Sequence, residues 1–374
     1  MVSNLERQRR YEFIRKDMKA QGYAALVISG NTESIQHGYI RYLSDWRLWG
    51  GTGYIVLPLE GNPVLILGKG SQYYWAKQLD WIQDVRSGFN KIDEVIKVLK
   101  ELGLTNQKIG VIGLTTVMTN GDARHLFDSL KEAAVEDATA LLDQRMEIKS
   151  NEEITQMAET YNLVAEAVER VKQVLSPGKT ERECMAEAIG YLGSKGCFEG
   201  LAHIGHHASP SIRPATDRIL GKEDILKVFL QWAGPSGHWI ELSAIYSFQT
   251  PPERYKNFYD TLLQATEHMI SLMKPGAIAG EISQAASDIC EQAGYRISDR
   301  VVWDFHGIGM NVDTAPYGLP DSTEILRENM VLNIHPGLVM EEDHWGASIT
   351  ENVVVTPQSG KVLGICNHQW QVLA

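Results

Sequence analysis

Val302-Trp303-Asp304-Phe305-His306-Gly307-Ile308-Gly309-Met310 and, downstream, Met330-Val331-Leu332-Asn333-Ile334-His335-Pro336-Gly337 are the stretches whose reading decides the fold. Each sets one histidine in an apolar run, and Val331 to Ile334 reads as an extended segment. Gly307 and Gly309 permit close backbone approach, which makes them structural residues rather than binding ones. Outward from this pair lie three more extended segments, Ile225 to Gln231, His238 to Phe248 and Glu351 to Thr356.

Helical patterns separate them. Ser150 with Glu153, and Thr180 with Glu183, form capping boxes that each start a helix. After the first, Ile154, Met157, Ala158, Tyr161, Val164, Ala165, Val168 and Val171 recur at helical spacing until Pro177-Gly178, as core positions do. The second helix should run to Gly196, and further helices are expected over Glu253 to Met273 and Glu281 to Ala293. Residues 143–374 therefore read as an α+β domain, helices packed on an antiparallel sheet.

Residues 1–142 alternate helical patterns with β-branched runs: Ala24 to Ser29, Tyr54 to Leu57 and Lys108 to Ile112, with a helix over Lys91 to Leu102. This is the pattern of an α/β domain whose mixed or parallel sheet is covered on both faces. Gly61-Asn62 and Asn120-Gly121 read as turns, and no phosphate-binding glycine loop is present.

The chain has 374 residues, 44% hydrophobic and 22% charged, enough for two domains with substantial cores. A formal charge of -12 leaves no basic surface for phosphates, so nucleic acid and anionic membranes are excluded as partners and small molecules or peptides favoured. The first 19 residues are too charged for an export signal, and no run has the ~18 apolar residues of a membrane span. Cys184, Cys197, Cys290 and Cys366 are widely separated, as reduced thiols of a cytoplasmic protein would be.

Several landmarks together resemble the creatinase, aminopeptidase P and methionine aminopeptidase superfamily, the pita-bread fold. Met146 to Ser150 with Glu153-Ile154 looks like the helix that opens its catalytic domain, and Arg41-Tyr42-Leu43-Ser44 like a loop of the creatinase-type N-terminal domain. His306 to Gly309 and Met330 to Gly337 look like the paired strands of its active site.

Metallopeptidases of this superfamily hold two metal ions with two aspartates, a histidine and two glutamates. Carried over, the second aspartate falls on Glu241 and the first on Leu230 or Gln231, neither able to bind as an anion. The histidine matches His306, with Phe305 as a bulky neighbour leaning on the site. The first glutamate becomes His335, and the second falls on Thr350 or, with a one-residue slip, Glu351. Side chains alternate along a strand, so only one of that pair faces inward, and Thr350 is the expected one.

The resemblance, with these replacements, predicts a hydrolase of a small C–N compound without the dinuclear metal site, in which His306, His335 and Glu241 perform acid-base chemistry. His238, Trp239, His207, Arg213, Phe305, Tyr317, Thr350 and Glu351 are the candidate substrate contacts, Arg213 for a carboxylate. The expected cofactor is none. The alternative is one transition metal on Glu241, His306 and His335, with His238 or His207 as a fourth ligand, serving hydrolysis or elimination. A catalytically silent ligand-binding protein is the remaining reading. The resemblance also implies a homodimer in which the N-terminal domain, through Tyr42 to Gly51, covers the partner's cavity.

Overall fold

The computed structural model describes residues 2–32, 38–206, 212–295, 304–340 and 345–373. The chain divides into two compact units, Met1–Met146 with Met310–Val312, and Glu147–Gly309 with Asp313–Ala374.

The first unit is an α/β domain. Strands β1 (Ala25–Gly30), β2 (Gly53–Pro58), β3 (Val64–Gly68), β4 (Asp84–Gly88), β5 (Lys108–Ile112) and β6 (Ala134–Asp137) form one mixed sheet in the order β4-β3-β2-β1-β5-β6. Alternation along β2 separates two cores, with Tyr54 and Val56 on one face and Ile55 and Leu57 on the other. The helices are α1 (Asn4–Gln21), α2 (Gly38–Ser44), α3 (Ser71–Ala76), α4 (Lys91–Glu101), α5 (Asn120–Ser129) and α6 (Thr139–Glu147). The reading of Asn120-Gly121 as a turn is corrected. Thr119 caps a helix there, its hydroxyl accepting from Asp122 N, so the pair forms the first residues of α5.

The second unit is an α+β domain. Helix α7 (Asn151–Val174) begins at a complete capping box: Ser150 Oγ accepts from Glu153 N, and the Glu153 carboxylate accepts from Ser150 N at 2.9 Å. Helix α8 (Glu181–Ser194) begins the same way at Thr180. Two more helices, α9 (Glu253–Leu272) and α10 (Ala279–Gln292), complete the helical layer.

Strands β7 (Glu199–Gly205), β8 (Arg213–Pro214), β9 (Ile225–Ala233), β10 (Trp239–Ser247), β11 (Phe305–Gly307), β12 (Val331–Ile334), β13 (Gly337–Met340), β14 (Trp345–Ser348), β15 (Glu351–Val355), β16 (Gly360–Val362) and β17 (Gln371–Val372) follow in chain order. They form a five-stranded sheet β17-β10-β9-β7-β8, a four-stranded sheet β11-β12-β15-β16 and the pair β13-β14. All pairings but β10 with β17 are antiparallel.

Side chains join the first two sheets. Thr350 N donates to Ser243 Oγ at 2.9 Å, and Asn352 Nδ2 donates to Glu241 O. These bonds satisfy buried polar groups and fix β10 against β15, which places Glu241 beside the row made by β11 and β12. No helix among the described residues is long and apolar enough to cross a membrane. No disulfide joins any of the four cysteines.

Candidate active site

Register decides which side chains meet. His306 on β11 lies directly opposite Asn333 on β12, which lies opposite Asn352 on β15, so the three share one face of the sheet. Glu241 on β10 faces that row. Asn333 Nδ2 donates to Glu241 Oε2 at 2.6 Å and reaches His306 Nε2 at 3.2 Å. His306 Nε2 stands 3.8 Å from Glu241 Oε1 and 3.3 Å from Asp313 Oδ1.

Asp313 arrives by a local route. Backbone bonds between Gly307 and Thr314 close a turn, 2.7 and 3.0 Å long, and Asp313 occupies the left-handed region at φ 53°, which a short polar side chain tolerates. The Tyr317 hydroxyl donates to the Asp313 carbonyl at 2.5 Å and so anchors the turn. Tyr317 thus holds the site's backbone with its polar end.

Electrostatics follow from burial. Glu241 is 4% exposed, and desolvation, then the charge of Asp313, pushes its carboxyl up to about 8 against the opposing pull of Asn333 and Lys227. Burial lowers His306, which stays neutral, with Asp313 and the Gly307 carbonyl pulling the other way. His306 Nδ1 is 2.9 Å from Gly307 O, so the Nδ1–H donates there and the Nε2 lone pair faces the two carboxylates.

Glu241, His306 and Asp313 each offer a ligand atom, and these atoms lie within 4.8 Å of one another. A lone pair and two carboxyl groups converge on one point, and a cation there, taking the place of the Glu241 proton, would be attracted by all three. Asn333 Oδ1 beside them is buried without a hydrogen-bond partner, a further oxygen donor left available. One N and two O donors suit a divalent transition metal, and the backbone-fixed imidazole is the arrangement that orients such a ligand.

The remaining candidates are placed as follows. His335 follows β12, half-buried, its ring centroid 5.1 Å from that of His306. Burial first, then the neighbouring His306 and Lys227, hold it well below the usual imidazole range. Gln231 lies opposite Glu241 in the β9–β10 register, whereas Leu230 pairs with Leu242 on the other face. Thr350 bonds to Ser243, while Glu351 turns the other way, accepting from Tyr161 Oη at 2.8 Å and meeting His368 Nε2 at 2.9 Å.

Three substrate expectations are corrected. Arg213 forms a two-pronged pair with Glu181 at 2.7 and 2.8 Å, so its fork is already filled by a carboxylate of the fold. His238 meets Ser236 Oγ at 3.0 Å and stands 3.6 Å from Glu153, tying its turn to the α7 cap. Phe305 points away from His306, as strand alternation requires, into the core against Gly318, where any Cβ would collide with its ring. Trp239 is 1% exposed and fixes β10 through its backbone N–H to Gly309 O at 2.8 Å. His207 lies outside the described residues, as do Trp303 and His344.

Sequence reasoning missed Asp313 and Asn333. For Asn333 a signal existed: an amide inside the apolar run Val331-Leu332-Asn333-Ile334, two residues before His335 and hence on its face.

The profile of metallopeptidase family M24 matches residues 155–357, and that of the creatinase/prolidase N-terminal domain matches residues 10–146. The chain belongs to metallopeptidase family M24. It is 24% identical over 331 residues to a Xaa-Pro dipeptidase of Pyrococcus furiosus, covering 87% of this chain and 90% of that one. It is 26% identical over 275 residues to a probable dipeptidase, PepE, of Mycobacterium tuberculosis, covering 71% and 72%. The solved Xaa-Pro dipeptidase of Bacillus anthracis superimposes with a TM-score of 0.83 at 20% identity, over 98% of this chain and 100% of that one, a likeness of fold.

Membership of a metallopeptidase family carries the reaction class, hydrolysis of a C–N bond. It also overturns the expectation of no cofactor, together with the Glu241, His306 and Asp313 cluster. That expectation counted inherited ligand positions alone and so overlooked Asp313, which enters from the turn.

Proposed function

We propose that this protein hydrolyses a C–N bond in a short peptide or small amide at a single-metal centre held by Glu241, His306 and Asp313. The observation that carries the reading is the convergence of those three donors within 4.8 Å, inside the stretch that the M24 profile matches. Relatives named as dipeptidases support a short peptide as substrate. The ion would supply Lewis acidity toward a scissile carbonyl and toward water. His306 keeps its Nε2 lone pair turned inward through the Gly307 bond, and Asn333 orients Glu241. His335, its ring centroid 5.1 Å from that of His306, is placed beside the donors, where its ring can orient the substrate or water. Four cysteines without a disulfide suit a reducing compartment, and we read the enzyme as a cytoplasmic homodimer.

Elemental analysis after desalting tests the centre, with release of free amine from a dipeptide panel as the second readout. About one transition metal per chain is expected in the parent protein, falling below about a tenth in Asp313→Asn and Glu241→Gln with the fold intact by circular dichroism. Equal metal in all three proteins would remove the assignment.

A further inference from the structure

A cleft lies wholly within the first unit, which supplies none of the three metal donors. One wall is a face of α1 bearing Arg7, Tyr11, Glu12 and Arg15, and the other includes Pro63 at the start of β3 and Trp81. Its volume is about 250 Å³, room for a small organic molecule.

Helical spacing sets its charge. Arg7 and Arg15 stand four residues before and after Tyr11, so the three share one face of α1, with a guanidinium one turn to either side of the phenol. Arg7 Nη1 donates to Asp80 O at 3.2 Å and Arg15 Nη2 donates to Gly61 O, so backbone carbonyls hold both heads. Among the described residues neither guanidinium has a carboxylate at ion-pair distance. Arg15 Nε is buried without a hydrogen-bond partner, a donor that is costly to leave unmet. Burial pushes the Tyr11 phenol up, while Trp81 and then the charges of Arg7, Arg15 and Arg10 pull the other way, the mark of positive potential at that ring. In a chain of formal charge -12 this is a local concentration of cations.

The floor is apolar. Trp81 is 8% exposed, Pro63 is buried, and the Trp81 ring meets Tyr11 edge-on at 6.4 Å. The Arg7 guanidinium lies 6.0 Å from the centre of the Trp81 ring and that of Arg15 lies 5.7 Å from the centre of Tyr11, so charge and aromatic surface adjoin.

We propose that this cleft binds a small aromatic acid, its carboxylate between Arg7 and Arg15 and its ring against Trp81 and Pro63. The two guanidiniums supply charge-assisted donors, and the rings an apolar seat. Glu12, exposed at the same cleft, repels a dianion more than a monoanion, which favours a single carboxylate over a phosphate. The site is independent of the metal centre and of the hydrolase reading.

Ligand-observed NMR titration at fixed ionic strength tests it, with benzoate, benzamide and acetate as probes. The parent protein should bind benzoate about tenfold or more tightly than benzamide, which lacks the charge, and than acetate, which lacks the ring. Arg7→Gln with Arg15→Gln should remove the preference for benzoate over benzamide, and each single substitution should remove part of it. Both side chains bond to backbone carbonyls in exposed positions, so the double variant is expected to fold, and its melting temperature reports whether it has. Asp313→Asn should keep the preference, which separates the cleft from carboxylate binding at a metal ion. Equal affinities for benzoate and benzamide in the parent protein, a preference that persists in the folded double variant, or one lost in Asp313→Asn would overturn the site.

Discussion

Glu241 shows how one residue ties stability to function. In ion-free protein its carboxyl, at about 8, lies above the ordinary carboxylate value of 4.5. A group raised in this way supports the folded state fully below the unfolded value and loses that support as pH rises through the folded one. Ion-free protein should therefore lose on the order of 3 kcal/mol of stability between pH 5 and pH 9 that Glu241→Gln does not lose. Urea unfolding of both proteins across that range measures the difference, and parallel profiles would contradict the burial argument. Asn333 acts through Glu241 and His306, so Asn333→Ala should weaken metal affinity by about 10- to 100-fold while the three donors remain. Competition with a chelator gives the number.

At the same scale, legibility depended on residue type. His306 and Glu241 were legible as candidate ligands because the resemblance puts them at the superfamily's ligand positions. Asp313 was not, since it sits on an exposed left-handed turn seven residues from His306, and only the Gly307–Thr314 bonds return it to the site. Asn333 carries no charge and drew no attention, although its register partner is His306.

Among the elements, strand alternation explains why Thr350 and Glu351 part company. Thr350 meets β10, whereas Glu351 reaches Tyr161 on α7 and His368 near the C-terminal strand. Glu351 is therefore a clasp between α7, β15 and the chain's last residues. Tyr161→Phe removes one of its bonds in a buried setting and should cost about 1–2 kcal/mol in thermal or urea unfolding, with metal content unchanged. Phe305 faces the core from β11, so Phe305→Leu should cost about 1–2 kcal/mol and likewise leave one metal per chain. A loss of metal in Phe305→Leu would restore the idea that the ring leans on the site. The helices α7 and α8 and the strands of both sheets were legible because capping boxes and period-two burial are local signals. The pairing of β10 with β15 through Asn352 and Ser243 was not, because it depends on which two strands the fold brings together.

For the whole molecule the open quantity is assembly. The first unit has two well-filled cores, one on each sheet face, yet leaves large aromatic rings in water: Phe89 is 88% exposed, Tyr74 69%, Trp75 59% and Trp49 49%. Single exposed apolar residues are ordinary, but Tyr74 and Trp75 are adjacent on α3, and Gln72 of the same helix holds the Trp49 segment by bonds of 3.2 and 2.8 Å. Aromatic rings of this kind are what interfaces enrich, because they bury large area at small entropic cost. The homodimer reading then predicts sedimentation near twice the 41.8 kDa chain mass at micromolar concentration. Tyr74→Lys with Trp75→Lys should shift the species to monomer without unfolding, since neither ring belongs to a core. A parent protein that sediments as a monomer refutes the dimer. A double variant that stays dimeric moves the interface elsewhere on the chain.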